Sequence, residues 1–231
     1  DTNGKIYGLN PEIAWNYGVS FMQGFLLFGK SADVGFDFYR TNFQNQAVVD
    51  VLQSPQQVLF YNLKGKSYAN SLQVEFNYEL KKHFNLRTAY KFYDIQTDYL
   101  SGAYQRPLQA KHRFFGNLGY ETHILDKGKQ WKFDYTFNWL GKQQLPNTST
   151  NPEGDRLPEF SPSFSVMNIQ VTRTFSSTFE IYIGGENIGN YKQDNVILGN
   201  ENPFGPAFDA SIVYGPVFGQ MYYAGLRFKI K

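Results

Sequence analysis

The chain has 231 residues, no cysteine and a net charge of +2, so disulfides and thiolate metal sites are excluded and no partner class is selected by charge. Its mean hydropathy of -0.46 is too polar for a helical membrane protein, yet aromatics reach 18%. A transmembrane β-barrel escapes that exclusion, because its interior face and outer loops are polar. No charged n-region or apolar h-region precedes the first strand, so any signal peptide is expected to be absent or already removed.

Nine segments satisfy strict alternation of apolar and polar residues. The first runs near Ala14 to Phe28, with Trp15, Tyr17, Val19 and Phe21 on one face. Across a short turn at Gly29 and Lys30, the second sets Val34, Phe36 and Phe38 against Asp33 and Asp37. The third ends in Leu72, Val74, Phe76, Tyr78 and Leu80, and a turn at Lys81 and Lys82 leads to Phe84, Leu86, Thr88, Tyr90 and Phe92. Phe114, Leu118 and Tyr120 mark the fifth. The sixth carries Trp131, Phe133, Tyr135, Phe137 and Trp139 at every second position, with Lys132, Asp134, Thr136 and Asn138 between them. Met167, Ile169 and Val171 define the seventh, Phe179, Ile181 and Ile183 the eighth, and Tyr222 to Ile230 the ninth.

Connection lengths alternate as well. Short turns follow strands one, three, five and seven; long loops lie near Gln44 to Val58, Asp98 to Leu108, Gln143 to Pro162 and Gly189 to Phe218. Outer-membrane barrels have short periplasmic turns, long extracellular loops and aromatic girdles at both interfaces, and each strand crosses in roughly 9 to 11 residues. The aromatic strand has that length and a tryptophan at each end. The fold class is therefore all-β, an antiparallel transmembrane β-barrel in outer-membrane lipid. A secreted β-sandwich or lipocalin-like barrel is the competing architecture, but it accounts for neither the girdle nor the alternating loops.

The long loops offer Tyr99, Tyr104, Arg106, Arg156, Tyr191, Phe204, Phe208 and Tyr214 as aromatic and cationic ligand contacts, although any of them is also an ordinary loop residue. Glu75, Arg87, Arg113, Glu121, Asp134, Glu186 and Arg227 fall on the interior face. No catalytic residue is assigned: His83 and His123 sit in short periplasmic turns, and no Ser or acid holds a motif relation to His112. Those three histidines are read as too far apart for zinc, Met22, Met167 and Met221 as no copper cluster, and Asp194, Glu201 and Asp209 as solvated acids rather than a calcium loop. No metal, cofactor or nucleic-acid partner is expected.

The closing stretch GQMYYAGLRFKIK resembles the terminal assembly signal of outer-membrane proteins, with Lys231 following the apolar residue on which such signals usually end. GGENIGNYKQDNVI from Gly184, followed by NPFGPAFDASIVYGPVFG, resembles the C-terminal barrel of TonB-dependent outer-membrane receptors. FDFYRTNFQNQAVVD, NLKGKSYANSLQVEFNYEL, QRPLQAKHRFFGNLGYET and LPNTSTNPEGDRLPEFSPSF extend that resemblance over essentially the whole chain. It implies a plugged barrel of about 22 strands, of which residues 1–231 form the C-terminal nine; the plug and earlier strands lie outside this chain. It also implies uptake of a scarce, bulky nutrient such as a ferric siderophore or cobalamin, driven by the TonB complex through a segment absent here. The interior charges would then face the plug. Some glycan receptors of the family also take a surface lipoprotein, of which the sequence carries no trace. A passive porin is the alternative, because periodicity alone does not separate an open barrel from a plugged one. An open nine-stranded sheet in lipid would leave two rows of unpaired amides, so the remaining portion must close it.

Overall fold

A computed structural model describes residues 7–54 and 57–230. Nine long strands form one antiparallel sheet in the order of the chain. They are β1 Ile13–Leu27, β2 Lys30–Asn45, β5 Ser67–Lys81, β6 Phe84–Tyr99, β8 His112–Glu121, β9 Gln130–Leu140, β10 Phe164–Thr174, β11 Phe179–Glu186 and β12 Met221–Phe228. All nine expected segments are strands. Each pairs with its neighbour along the chain, and the sheet does not close on itself among the described residues, leaving β1 and β12 as edges.

The turns between paired strands follow local backbone chemistry. Phe28 and Gly29 join β1 to β2 with φ of 50° and 74°, the doubly left-handed geometry that matches the twist of a two-residue hairpin. Between β5 and β6, His83 adopts φ 70°. At the β10–β11 turn, Ser176 Oγ accepts hydrogen bonds from the amides of Thr178 at 3.3 Å and Phe179 at 3.1 Å.

Register turns the alternating sequence into two faces. Tyr135 stands opposite Leu118, which stands opposite Leu86, which in turn faces Tyr78. The adjacent row sets Asp134 opposite Gly119 and Gln170, and Asn117 Nδ2 donates to Asp134 Oδ2 at 3.0 Å. One face is a continuous field of Phe, Tyr, Leu, Ile and Val; the other carries amides and charges. Among the described residues, no helix is long and apolar enough to cross a membrane, which leaves crossing by strands untouched. At the short-turn end of the apolar face, the Arg173 guanidinium lies 4.9 Å from the Trp131 ring, an aromatic and cation pairing suited to an interface.

Two expectations need correction. The loop expected near Gln44 to Val58 holds a hairpin of its own, β3 Ala47–Ser54 and β4 Gln57–Asn62, and the next contains the short strand β7 Gly102–Gln105 paired with β6. Strands β2, β5 and β6 also run past the apolar band, where Arg40 faces Asn70 and Asn70 faces Asp94, because their ladder hydrogen bonds continue after the side chains become polar. Second, His83 and His123 are not far apart. Pairing of β6 with β8 brings their turns together, and the two rings meet edge to face with centroids 4.7 Å apart. His112 stays at the opposite end of β8, its Nδ1 2.6 Å from the Tyr90 hydroxyl.

Candidate functional site

The long loops form a canopy with a hydrophobic core of its own. Leu145, Leu198 and Ile212 are each 2% exposed and pack with Leu108, Leu157 and Tyr214, drawing together the β6–β8, β9–β10 and β11–β12 loops. Buried side-chain amides satisfy loop backbone that has no strand partner. Gln193 donates through Nε2 to the Ile212 carbonyl at 2.8 Å and accepts from the amides of Tyr214 at 2.8 Å and Gly215 at 3.1 Å. Gln143 Nε2 reaches the Tyr214 carbonyl at 2.8 Å, and the Gly199 amide donates to Asp155 Oδ1 at 2.8 Å, crossing from one loop to another.

The eight expected contact residues separate into four groups. Tyr104 and Arg156 line one open cavity of about 540 Å³, together with Leu52, Pro146, Thr148 and Glu159. Arg156 anchors there by donating Nε to the Asn151 carbonyl at 2.7 Å. Tyr191 and Tyr214 belong to the packed canopy instead. The Tyr191 ring stacks on Phe164 at 4.6 Å with planes 4° apart, and burial raises the pKa of both phenols above 10.0, with Asp194 adding to the shift. Phe204 is fully exposed and Phe208 partly so, both on the β11–β12 loop. Tyr99 ends β6, where burial raises its pKa and the positive charge of Arg106 opposes the shift.

Sequence reasoning missed Asp50. Val48, Asp50 and Leu52 occupy the inner face of β3, and Asp50 is completely buried among them. Its Oδ1 accepts from the Leu52 amide at 2.9 Å and its Oδ2 from the Tyr61 hydroxyl at 2.8 Å, while the Tyr61 oxygen accepts from the Leu100 amide at 3.0 Å. This relay ties the hairpin to the end of β6. Burial first, and the Asp50 carboxylate second, push the Tyr61 phenol from 10.0 up to about 12. Below pH 10 the phenol carries its proton in both folded and unfolded chains. Above it the unfolded chain loses the proton first, so the docked hairpin is expected to weaken progressively between pH 10 and pH 12. Amide exchange across β3 and β4 measured through that window checks this; exchange that does not change with pH beyond its intrinsic rate refutes it.

Asn187 is a second residue that sequence reasoning missed. In a left-handed conformation at φ 50°, it donates Nδ2 to the carbonyls of Tyr191 at 2.7 Å and Phe218 at 3.1 Å, so it clamps both ends of the last long loop. An asparagine at a helix-free, left-handed position is its one sequence-level signal.

The seven expected interior residues all share the polar face by register. Glu75 lies opposite Ala89, Arg87 opposite Asn77, Glu121 opposite Lys132, and Asp134 opposite Gln170. Glu186 faces Met221, and Arg227 makes an ion pair with Glu180 on the neighbouring strand. Arg113 stands directly opposite Lys91, a like-charge pair, and its Nε is buried with no partner among the described residues. Among the described residues, no three His, Cys, Asp or Glu side chains come together; Asp209 instead accepts from the amide and hydroxyl of Ser211, both at 2.7 Å.

The sheet and canopy match solved structures from Pseudomonas aeruginosa. A ferripyoverdine receptor, FpvA, bound to a heterologous pyoverdine aligns at TM-score 0.63 and 16% identity over 95% of this chain and 27% of that one. The ferric enterobactin receptor PfeA aligns at 0.59 and 13% identity, covering 96% of this chain and 31% of that one. The complex of FpvAI with pyocin S2 gives 0.63 and 15% over 95% and 27%. At such identities the likeness is one of fold, and the chain spans about a third or less of each receptor. No curated protein sequence matches it. The family model for the TonB dependent receptor-like β-barrel matches residues 1–188, most of the chain. With its two-faced sheet, its girdle and its folded loops, the chain belongs to the TonB-dependent receptor β-barrel family of the bacterial outer membrane.

Proposed function

We propose that this chain supplies the C-terminal nine strands and extracellular canopy of a plugged receptor that takes up a ferric siderophore, or a nutrient of similar bulk such as cobalamin, with energy from the TonB complex. The family match carries the reading. The polar face adds support: Lys91 opposite Arg113 is a like-charge pair, and although both cations lie over the Tyr93 ring, a carboxylate on a plug domain filling the barrel would relieve it further. In the canopy, Tyr104 gives an aromatic face and Arg156 a planar donor beside the same cavity, a combination suited to the anionic oxygens of an iron chelate. The barrel contributes walls and recognition. No residue is assigned to catalysis; His112, at the loop end of β8, hydrogen-bonds Tyr90 on the apolar face.

The test is uptake of a radiolabelled ferric siderophore panel by cells carrying the whole receptor, with and without TonB. Accumulation that disappears without TonB is expected; accumulation unaffected by TonB would identify passive diffusion and sink the receptor reading. Removing the Arg156 guanidinium or the Tyr104 ring by alanine substitution is expected to weaken surface binding by about tenfold each, the scale of one charge-assisted hydrogen bond or one aromatic contact. Binding to whole cells at low temperature reads this separately from transport.

A further inference from the structure

His83 and His123 occupy turns on the short-turn side of the sheet, on the far side of the strands from the canopy. Three features hold them together. The Glu121 amide donates to the His83 carbonyl at 2.9 Å, fixing one turn against the other. His83 holds a left-handed conformation at φ 70°, which constrains the direction of its side chain. The two imidazoles then meet at 80° with centroids 4.7 Å apart.

Two imidazoles sharing one ion, each with nitrogen at roughly 2.0 to 2.1 Å, place their ring centres roughly 4.5 to 5.2 Å apart for ligand angles between square-planar and tetrahedral. The observed separation falls inside that interval. A second observation points to a ligand: His83 Nε2 is buried and finds no hydrogen-bond partner among the described residues. A buried ring nitrogen without a partner is costly, and a metal ion satisfies it as fully as a hydrogen bond does. Glu121, the nearest acid in sequence, is already engaged by Gln130 Nε2 at 3.1 Å and by Lys132 at 3.9 Å. Among the described residues, no third His, Cys, Asp or Glu joins the pair.

We propose that His83 and His123 form a two-histidine clamp for a late first-row divalent cation, of the nickel, copper or zinc type, cross-linking the β5–β6 and β8–β9 turns. Imidazole is well suited to these ions, whereas hard cations such as magnesium and calcium select oxygen donors. The clamp adds a side-chain link between two turns that the Glu121–His83 backbone hydrogen bond already brings together.

The experiment uses the whole receptor purified in detergent without a polyhistidine tag, stripped with chelator and titrated with nickel chloride by calorimetry. One site is expected to be lost in His83→Asn and equally in His123→Gln, with no further loss in the double variant, and each single change weakens it by about tenfold or more. Asparagine tolerates the left-handed backbone at position 83, so the turn should survive, and unchanged heat-modifiable migration of the variants verifies that the barrel does too. Saturating nickel should also raise the unfolding temperature of the wild type and not of the variants. Equal nickel binding by wild type and both variants, or no binding by the wild type, would overturn the clamp and leave the rings as an aromatic packing pair.

Discussion

Thr88→Arg is expected to cost the assembled barrel about 2 to 4 kcal/mol, while the same substitution at the next residue, Ala89→Arg, is tolerated. Thr88 sits midway along the apolar part of β6, between Phe76 on one neighbouring strand and Gly116 on the other. A guanidinium there must enter the hydrocarbon near the midplane, beyond easy reach of either interface. Ala89 faces the opposite way, directly across from Glu75, so an added cation meets a carboxylate on a wet face. Urea unfolding of the whole receptor in lipid vesicles distinguishes the two positions. Equal penalties at both would mean that the apolar face is not the lipid face, and the membrane assignment of the sheet would fail.

Replacing Asp50 by leucine should undock the β3–β4 hairpin. Two donors then lose their acceptor, the Leu52 amide and the Tyr61 hydroxyl, and each orphaned group costs about 1 to 3 kcal/mol. A combined loss of roughly 2 to 6 kcal/mol exceeds what an isolated two-stranded hairpin holds in reserve. Asp50→Asn retains one acceptor oxygen and should lose about half as much. Limited proteolysis within residues 47–62 of the whole receptor reads the outcome, with β5 and β6 as internal controls. Unaltered protection in Asp50→Leu would show that Val48 and Leu52 hold the hairpin without the carboxylate.

The nine long strands were legible because a two-residue period survives any uncertainty about neighbours: Trp131 to Trp139 can present one greasy face only as a strand. Alternating loop length added sidedness. What stayed hidden depended on register or on packing between loops. Tyr104 and Tyr214 look alike in sequence, both loop aromatics, yet one borders a cavity and the other closes the canopy core. Asp50 broke an apolar run in a segment read as loop, and only the inward direction of Val48 and Leu52 shows that it points inside. His83 and His123 lie 40 positions apart in sequence, and it takes the β6–β8 pairing to bring them together. Sequence patterns encode each strand's faces, but they do not encode which turns become neighbours.

The canopy core has an immunological corollary. Because Leu145 comes from one loop and Leu198 and Ile212 from another, the outer surface over them exists only while the two loops are folded together. An antibody raised against this surface should recognise a conformational epitope: peptides copied from residues 141–163 or 187–220 should not compete for it, and single substitutions at Leu145 should erase recognition of side chains on the partner loop. Exposed positions such as Phe204 can then change in sequence while the shape beneath them persists.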